Sequence, residues 1–171
     1  MNAQREVRSA SKTRHRVLLV SSSGGHWTEL RRLAPAFDQC ERVWCSVLPE
    51  MRDEVAPDRF LRVPDANRWN KLRLLWSALC VVWVLLRVRP HVVVSTGAAP
   101  GFFAISFAKL VNARTVWIDS IANAEELSMS GRNAAQTATL TLTQWPELGT
   151  PLPSDPSARQ PGEVYFAGSV V

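Results

Sequence analysis

Apolar and polar positions along this chain switch between two periods, and the switching predicts strands and helices in alternation. Residues 16–21 carry Val17, Leu18, Leu19 and Val20 in a short apolar run that ends on Ser21. Runs of this length bounded by turn residues read as strands. Ser22-Ser23-Gly24-Gly25-His26 follows, after which Leu30, Leu33, Ala34 and Phe37 recur at helical spacing. A second strand is expected at 42–47 and a short third at 60–63, with a polar turn around 64–67. Residues 70–88 then form a strongly apolar helix, in which Leu74 to Leu86 holds Ser77 as its single polar residue. Pro90 ends it, because proline has no amide hydrogen and clashes with the preceding turn. Residues 91–96 (His91, three valines, Ser95, Thr96) read as a strand buried on both faces, as in parallel sheets.

The second half repeats the scheme. Residues 97–101 make a glycine-containing turn, and an apolar helix is expected over 102–110. Strands follow at 115–119 and 139–143, separated by a polar loop and a helix around 132–138. Five prolines in 146–161 mark a surface loop, and 164–169 is a last strand and turn. Alternation of this kind predicts an α/β fold with a parallel sheet and right-handed crossovers. In such sheets ligands bind beyond the carboxyl ends of the strands, where both glycine loops lie. The chain stops on strand and turn, so half of a cleft is expected here and the other half elsewhere.

Composition narrows the picture. With 171 residues, 46% hydrophobic and 20% charged, the chain is one domain able to bury a core. Net charge is +5, and the excess is unevenly placed. Arg5, Arg8, Lys12, Arg14 and Arg16 load the N-terminus against Glu6, and residues 1–15 read as a basic flexible arm. This stretch lacks the apolar core of a signal peptide. Arg68, Lys71, Arg73, Arg87 and Arg89 bracket the apolar helix. The charge suits anionic lipid or nucleic acid, but no RNA-reading module or zinc ligand set accompanies it, which favours a membrane surface. Cys40, Cys45 and Cys80 form no CxxC pair and read as reduced, cytosolic thiols.

Each motif has a plain reading beside the chemical one. Residues 21–26 make either a tight strand-to-helix turn with a surface histidine or a cradle whose free amides meet phosphate. It is not GxGxxG, which argues against a dinucleotide enzyme. Residues 95–101 repeat the arrangement with Gly97. Asp119, Ser120 and Asn123, with Arg132 beyond, suit a hydroxyl-rich or phosphorylated ligand, or a solvated helix start. The apolar stretch Leu74 to Leu86 is about 13 residues, short of the roughly 20 needed to span a bilayer. Trp69, Trp76 and Trp83 with Lys71, Arg73 and Arg87 fit a helix lying at the membrane interface; a buried helix against sheet or partner is the alternative.

Five segments in order carry a resemblance: residues 17–30, residues 89–97, Ile118-Asp119-Ser120 with residues 127–132, Gln144-Trp145-Pro146-Glu147-Leu148, and Tyr165-Phe166-Ala167-Gly168-Ser169. Together they resemble the membrane-associated subunit of the two-part UDP-sugar glycosyltransferases. That family includes the eukaryotic dolichol-pathway GlcNAc transferase subunit and bacterial homologues in capsule and exopolysaccharide synthesis. The resemblance implies a Rossmann-like parallel sheet, the N-terminal half of a GT-B glycosyltransferase, over 16–171. It implies transfer of a sugar from a UDP-sugar to a polyprenyl-diphosphate-linked acceptor at the cytoplasmic face of the membrane. The UDP-sugar would be bound mainly by a small partner subunit supplying the C-terminal half. No cofactor, metal or nucleic acid is implied.

By the same resemblance Gly24, Gly25, His26 and Gly97 would face the acceptor diphosphate, with Ser23 a candidate beside them. The reaction needs a base, and an imidazole suits that role at neutral pH, which makes His26 the candidate. Glu29, Asp119, Ser120, Asn123 and Arg132 would lie near the acceptor sugar or the cleft between halves. The family commonly has Glu where Asp119 stands. Its eukaryotic members begin with an apolar anchor, whereas this chain begins with charge. A membrane scaffold without catalysis and a stand-alone nucleotide-binding enzyme are the competing readings.

Overall fold

A computed structural model of the chain describes residues 14–66 and 69–170. The arm expected at 1–15 lies outside the described residues except for Arg14 and His15, and so does Arg68. In chain order the strands are β1 (Arg16–Val20), β2 (Glu41–Ser46), β3 (Arg59–Arg62), β4 (Val92–Ser95), β5 (Arg114–Ile118), β6 (Leu140–Thr143), β7 (Thr150–Pro151) and β8 (Val164–Phe166). The helices are α1 (Gly25–Arg32), α2 (Met51–Glu54), α3 (Lys71–Val88), α4 (Ala98–Phe107) and α5 (Met129–Ala135).

Side chains of a strand alternate between its two faces. In β1, Leu18 and Val20 enter one core while Val17 and Leu19 enter another. Val43 and Cys45 of β2 join the first core and Trp44 the second; Val93 and Val94 of β4 divide the same way. Both faces are apolar, so both must be covered. Val81, Val84, Leu85 and Val88 of α3, with Ala104, Ile105 and Ala134 of α4 and α5, close the first. Trp27 and Leu30 of α1 close the second, Trp27 meeting Trp44 edge to face with ring centroids 5.4 Å apart. Each fully buried Val or Leu contributes roughly 1.5–3 kcal/mol.

Among the described residues all eight strands are parallel, in the order β3-β2-β1-β4-β5-β6-β8-β7. From β1 the chain runs outward through β2 to β3, then α3 carries it back over the sheet to β4 on the other side of β1. The direction of winding therefore reverses between β1 and β4. That reversal opens a crevice at the carboxyl ends of these two strands.

Element boundaries differ from expectation where proline and glycine act. The periodic pattern reaching Phe37 breaks after Arg32 into a 3-10 turn, Ala34–Phe37, because Pro35 cannot donate to a continuing helix. The helix expected over 102–110 starts at Ala98 instead and gives way to a 3-10 turn, Ala108–Val111. Pro100 sits in its first turn, where amide hydrogens have no intrahelical partner anyway. The helix expected around 132–138 runs Met129–Ala135, capped by Ser128 Oγ accepting from Gly131 N at 2.8 Å. Helix α2 and strand β7 carry no sequence period long enough to predict them. Pro151 is tolerated in β7 because this strand is the sheet's edge.

Candidate functional site

The loop after β1 is drawn over the end of the sheet by Ser46, whose Oγ donates to Ser21 O at 2.9 Å and Ser22 O at 3.2 Å. Gly24 then takes φ 73°, ψ −139°, a conformation closed to other residues, and turns the chain into α1. No side chain caps α1, so its first amides are left open. A methyl group at Gly25 would meet nothing within 4 Å. Packing therefore does not demand glycine at 25; an approaching ligand would.

The loop after β4 is built against the first. Gly97 has φ 140°, and a Cβ there would come 2.5 Å from Cε1 of His26. Ser95 Oγ accepts from Gly97 N at 3.1 Å, and a Cβ at Gly101 would collide with that same Ser95 hydroxyl. Thr96 Oγ1 donates to His26 O at 2.6 Å, while His26 Nδ1 lies 2.9 Å from Thr96 O. A carbonyl only accepts, so Nδ1 carries the hydrogen, and the Nδ1–H tautomer has its lone pair at Nε2. His26 is half-buried. Helix α4, like α1, has no side-chain cap. Two uncapped helix starts and one oriented imidazole thus share the crevice.

Glu29, three residues beyond His26 on α1, is buried. Its Oε1 accepts from Ser120 Oγ at 2.7 Å and its Oε2 from Gln144 Nε2 at 3.2 Å. The same Gln144 nitrogen donates to Asp119 O at 3.0 Å, and Gln144 Oε1 accepts from Val170 N at 2.9 Å. Gln144 thereby joins α1, the ends of β5 and β6, and the segment after β8. The sequence places it beside Trp145 and Pro146, but nothing in its local pattern marks it as a junction. Its signal is a polar residue directly after a buried strand.

Asp119, expected near the acceptor sugar or the cleft between halves, is 2% exposed at the end of β5. Oδ1 accepts from Trp117 Nε1 at 3.1 Å and Ser128 Oγ at 2.6 Å; Oδ2 accepts from Ser128 N at 2.8 Å and Asn123 Nδ2 at 3.1 Å. Four donors saturate the carboxylate, so it orders the loop between β5 and α5 and holds Asn123 in place. Arg132 pairs with Glu126 at 2.9 Å and donates to Leu127 O at 2.7 Å. Ser23, Gly24, Gly25, His26 and Gly97 come together at the crevice; Glu29 and Ser120 lie beneath it in one buried network.

Helix α3 shows two apolar faces. Ser77, Val81, Val84, Leu85 and Val88 are buried against the sheet, Ser77 Oγ donating to Pro64 O at 2.9 Å. Leu72, Leu75, Trp76, Leu79, Trp83 and Leu86 are exposed, with Trp69 at 82% just before the helix. At about 100° per residue these side chains form a single stripe opposite the buried face. Arg73 and Arg87 flank one edge of it and Lys71 the other; all three are exposed, and none enters an ion pair among the described residues. No helix among the described residues is long and apolar enough to cross a membrane.

Cys40, Cys45 and Cys80 are free thiols, and burial pushes Cys45 up to about 12. Among the described residues no group of three or more His, Cys, Asp or Glu side chains is arranged to hold a metal ion.

No protein-family model matches the chain, and no curated protein matches it by sequence. Solved structures do match in fold. MurG of Acinetobacter baumannii aligns with a TM-score of 0.66 at 11% identity, over 90% of this chain and 45% of that one. A UDP-N-acetylglucosamine 2-epimerase aligns at 0.64 with 9% identity, over 91% and 48%. A glycosyltransferase from Rickettsia africae aligns at 0.57 with 14% identity, over 77% and 37%. The chain spans under half the length of these proteins. At such identities the likeness is one of fold: an α/β, Rossmann-like domain that aligns with under half of each of these proteins.

Proposed function

We propose that the chain is the acceptor-binding, membrane-surface subunit of a split GT-B glycosyltransferase. A separate small subunit would bind the UDP-sugar and complete the cleft. The observation that carries this reading is the pair of glycine loops laced together at the reversal of the sheet, with two uncapped helix starts and the Nε2 of His26 in one half-cleft. Open helix amides favour phosphate oxygens, and a diphosphate presents several. The exposed stripe of α3 supports a lipid-linked acceptor, since the protein must meet its substrate at a bilayer. Fold likeness to MurG and to a UDP-N-acetylglucosamine 2-epimerase supports sugar-nucleotide chemistry.

In the proposed reaction, amides of Gly25 and of the start of α4 hold the polyprenyl-linked diphosphate. His26 Nε2 takes the proton of the acceptor hydroxyl, helped by the Nδ1–H bond to Thr96 O that steadies the ring. The hydroxyl oxygen bonds to the anomeric carbon as the bond from that carbon to the UDP oxygen breaks, and UDP leaves with the electron pair. Charge on the departing diphosphate would be met by groups of the partner. The chain needs no cofactor in this scheme. The reaction belongs to capsule, exopolysaccharide or lipid-linked oligosaccharide synthesis at the cytoplasmic face of the membrane.

The test is co-expression with a candidate donor-binding subunit, followed by co-purification and transfer from radiolabelled UDP-sugars on membranes containing polyprenyl-diphosphate acceptors. Activity from the pair and not from either chain alone is expected. His26→Ala should lower kcat about 10²–10⁴-fold, the usual worth of a general base. A pair that keeps full activity with His26→Ala would identify the chain as a scaffold. Nicotinamide or nucleotide binding by the chain alone would identify a stand-alone nucleotide enzyme.

A further inference from the structure

We propose that a second anion site lies at the opposite end of the sheet, between Arg114 and Arg159, and that it takes the phosphate group of a small molecule. A cavity of about 560 Å³ opens there, lined by Arg114 at the start of β5, by Thr139 and Leu140 at the start of β6, and by Pro156, Ser157 and Arg159 of the proline-rich loop. The strands are parallel, so this is their amino end. The five residues of β5 put it about 17 Å from the glycine loops at roughly 3.3 Å per residue. It is not the half-cleft, and the proposal stands independently of the transferase reading.

The chemistry of the lining is one-sided. Arg114 and Arg159 line the cavity and no acidic residue does. Neither arginine is in an ion pair among the described residues. Arg159 Nε is buried with no hydrogen-bond partner, the single such side-chain atom among the described residues. A buried donor left without an acceptor is unfavourable, and native proteins almost always satisfy it. One acid lies within electrostatic reach: Asp155 is held below the usual carboxylate range first by its hydrogen bonds from Ser157 and also by the charge of Arg159. Asp155 accepts from Ser157 N at 2.8 Å and Ser157 Oγ at 2.6 Å, and Glu163 accepts from the Tyr165 hydroxyl at 2.8 Å and from Thr150 Oγ1 at 3.0 Å. Thr139 Oγ1 is taken up with Thr115, accepting from its backbone N at 3.0 Å.

The loop is also held in shape before any ligand arrives. Gln160 N donates to the Tyr165 hydroxyl at 2.7 Å and Arg159 N to Pro156 O at 3.3 Å. A planar guanidinium fork matches two oxygens of a phosphate or carboxylate. Two such forks in a lining that holds no acidic residue outweigh the charge of Asp155 beside it and favour the dianion, hence phosphate. Its oxygens would meet the guanidinium ends of Arg114 and Arg159 and tie the loop to the starts of β5 and β6.

The experiment follows the arginine Nε–H signals of the full ¹⁵N-labelled chain by NMR during titration at fixed ionic strength. Inorganic phosphate, glycerol 3-phosphate and acetate are the probes, with chloride as the balancing salt. A saturable shift of the Arg159 signal with either phosphate is expected, with acetate at least tenfold weaker. Tighter binding of glycerol 3-phosphate would assign an organic phosphate, and tighter binding of the inorganic ion would assign free phosphate. Arg114→Gln and Arg159→Gln should each weaken binding at least tenfold and abolish the rise in Tm that phosphate gives the native chain. Arg114 is exposed at the strand start, so its variant reads the site even if Arg159→Gln fails to fold. A shift that never saturates, equal binding of acetate, or undiminished affinity in Arg114→Gln or Arg159→Lys would overturn the proposal.

Discussion

At the scale of single residues, the two loop glycines at 25 and 97 separate what a fold requires from what a ligand requires. Gly97 is required by geometry, with its left-handed φ and the His26 ring in the way of any Cβ. Gly97→Ala should destabilise the protein by about 1–3 kcal/mol, readable in urea unfolding. Gly25→Ala meets open space, so unfolding should be unchanged or slightly harder, while affinity for a diphosphate-bearing acceptor analogue falls at least tenfold. Equal acceptor binding by Gly25→Ala would remove the argument that its amide faces a ligand. Cys45 makes a different residue-scale prediction. Burial raises its folded pKa from 9.0 to about 12. The unfolded chain therefore loses this proton first as pH rises. The stability contributed by the neutral thiol is whole below pH 9 and declines between pH 9 and 12, by up to about 1.4 kcal/mol per unit. Cys45→Ala should flatten that part of the stability profile relative to the native chain, and parallel profiles would refute it.

At the scale of elements, α3 is the informative one. Its sequence is apolar nearly all round, which is why periodicity alone left its surroundings open between lipid and core. Packing resolves the two sides: Val81, Val84, Leu85 and Val88 are interior, and Trp76, Leu79 and Trp83 are not. The sides should answer differently to mutation. Leu85→Ala is expected to cost about 2–5 kcal/mol of stability. Trp76→Glu with Trp83→Glu should leave Tm nearly unchanged and abolish sedimentation with vesicles containing anionic lipid. Replacing Lys71, Arg73 and Arg87 together by Gln should weaken vesicle binding about a hundredfold at low salt, since each cation contributes on the order of 1 kcal/mol near an anionic surface. Vesicle binding that survives both sets would show that α3 does not lie on lipid.

At the scale of the whole molecule, the site depends on joints between distant segments. Gln144 links α1, β5, β6 and the segment after β8 through four hydrogen bonds, counting the one its carbonyl accepts from Ser169 Oγ at 2.7 Å. Gln144→Ala leaves Glu29 with Ser120 alone and strands Val170 N. Each buried group left unsatisfied costs about 1–3 kcal/mol, so denaturant unfolding should move well below the native midpoint. A stability loss under 1 kcal/mol would mean that the junction is dispensable. The local order of strand, glycine loop and helix is written in the sequence, because runs such as Val17 to Val20, the Ser-Gly-Gly-His loop and Pro90 act on their immediate neighbours. So is the α/β class, since the alternation of periods admits few other arrangements. Tertiary structure alone decided that β4 returns beside β1, bringing Thr96 and Gly97 onto His26 across 70 residues of chain. It also decided that Asp119 turns inward to four donors, and that Glu29, unremarkable on an amphipathic helix, is buried with Ser120 and Gln144. Such outcomes rest on pairing between segments far apart in sequence, and no local period encodes which strand becomes whose neighbour.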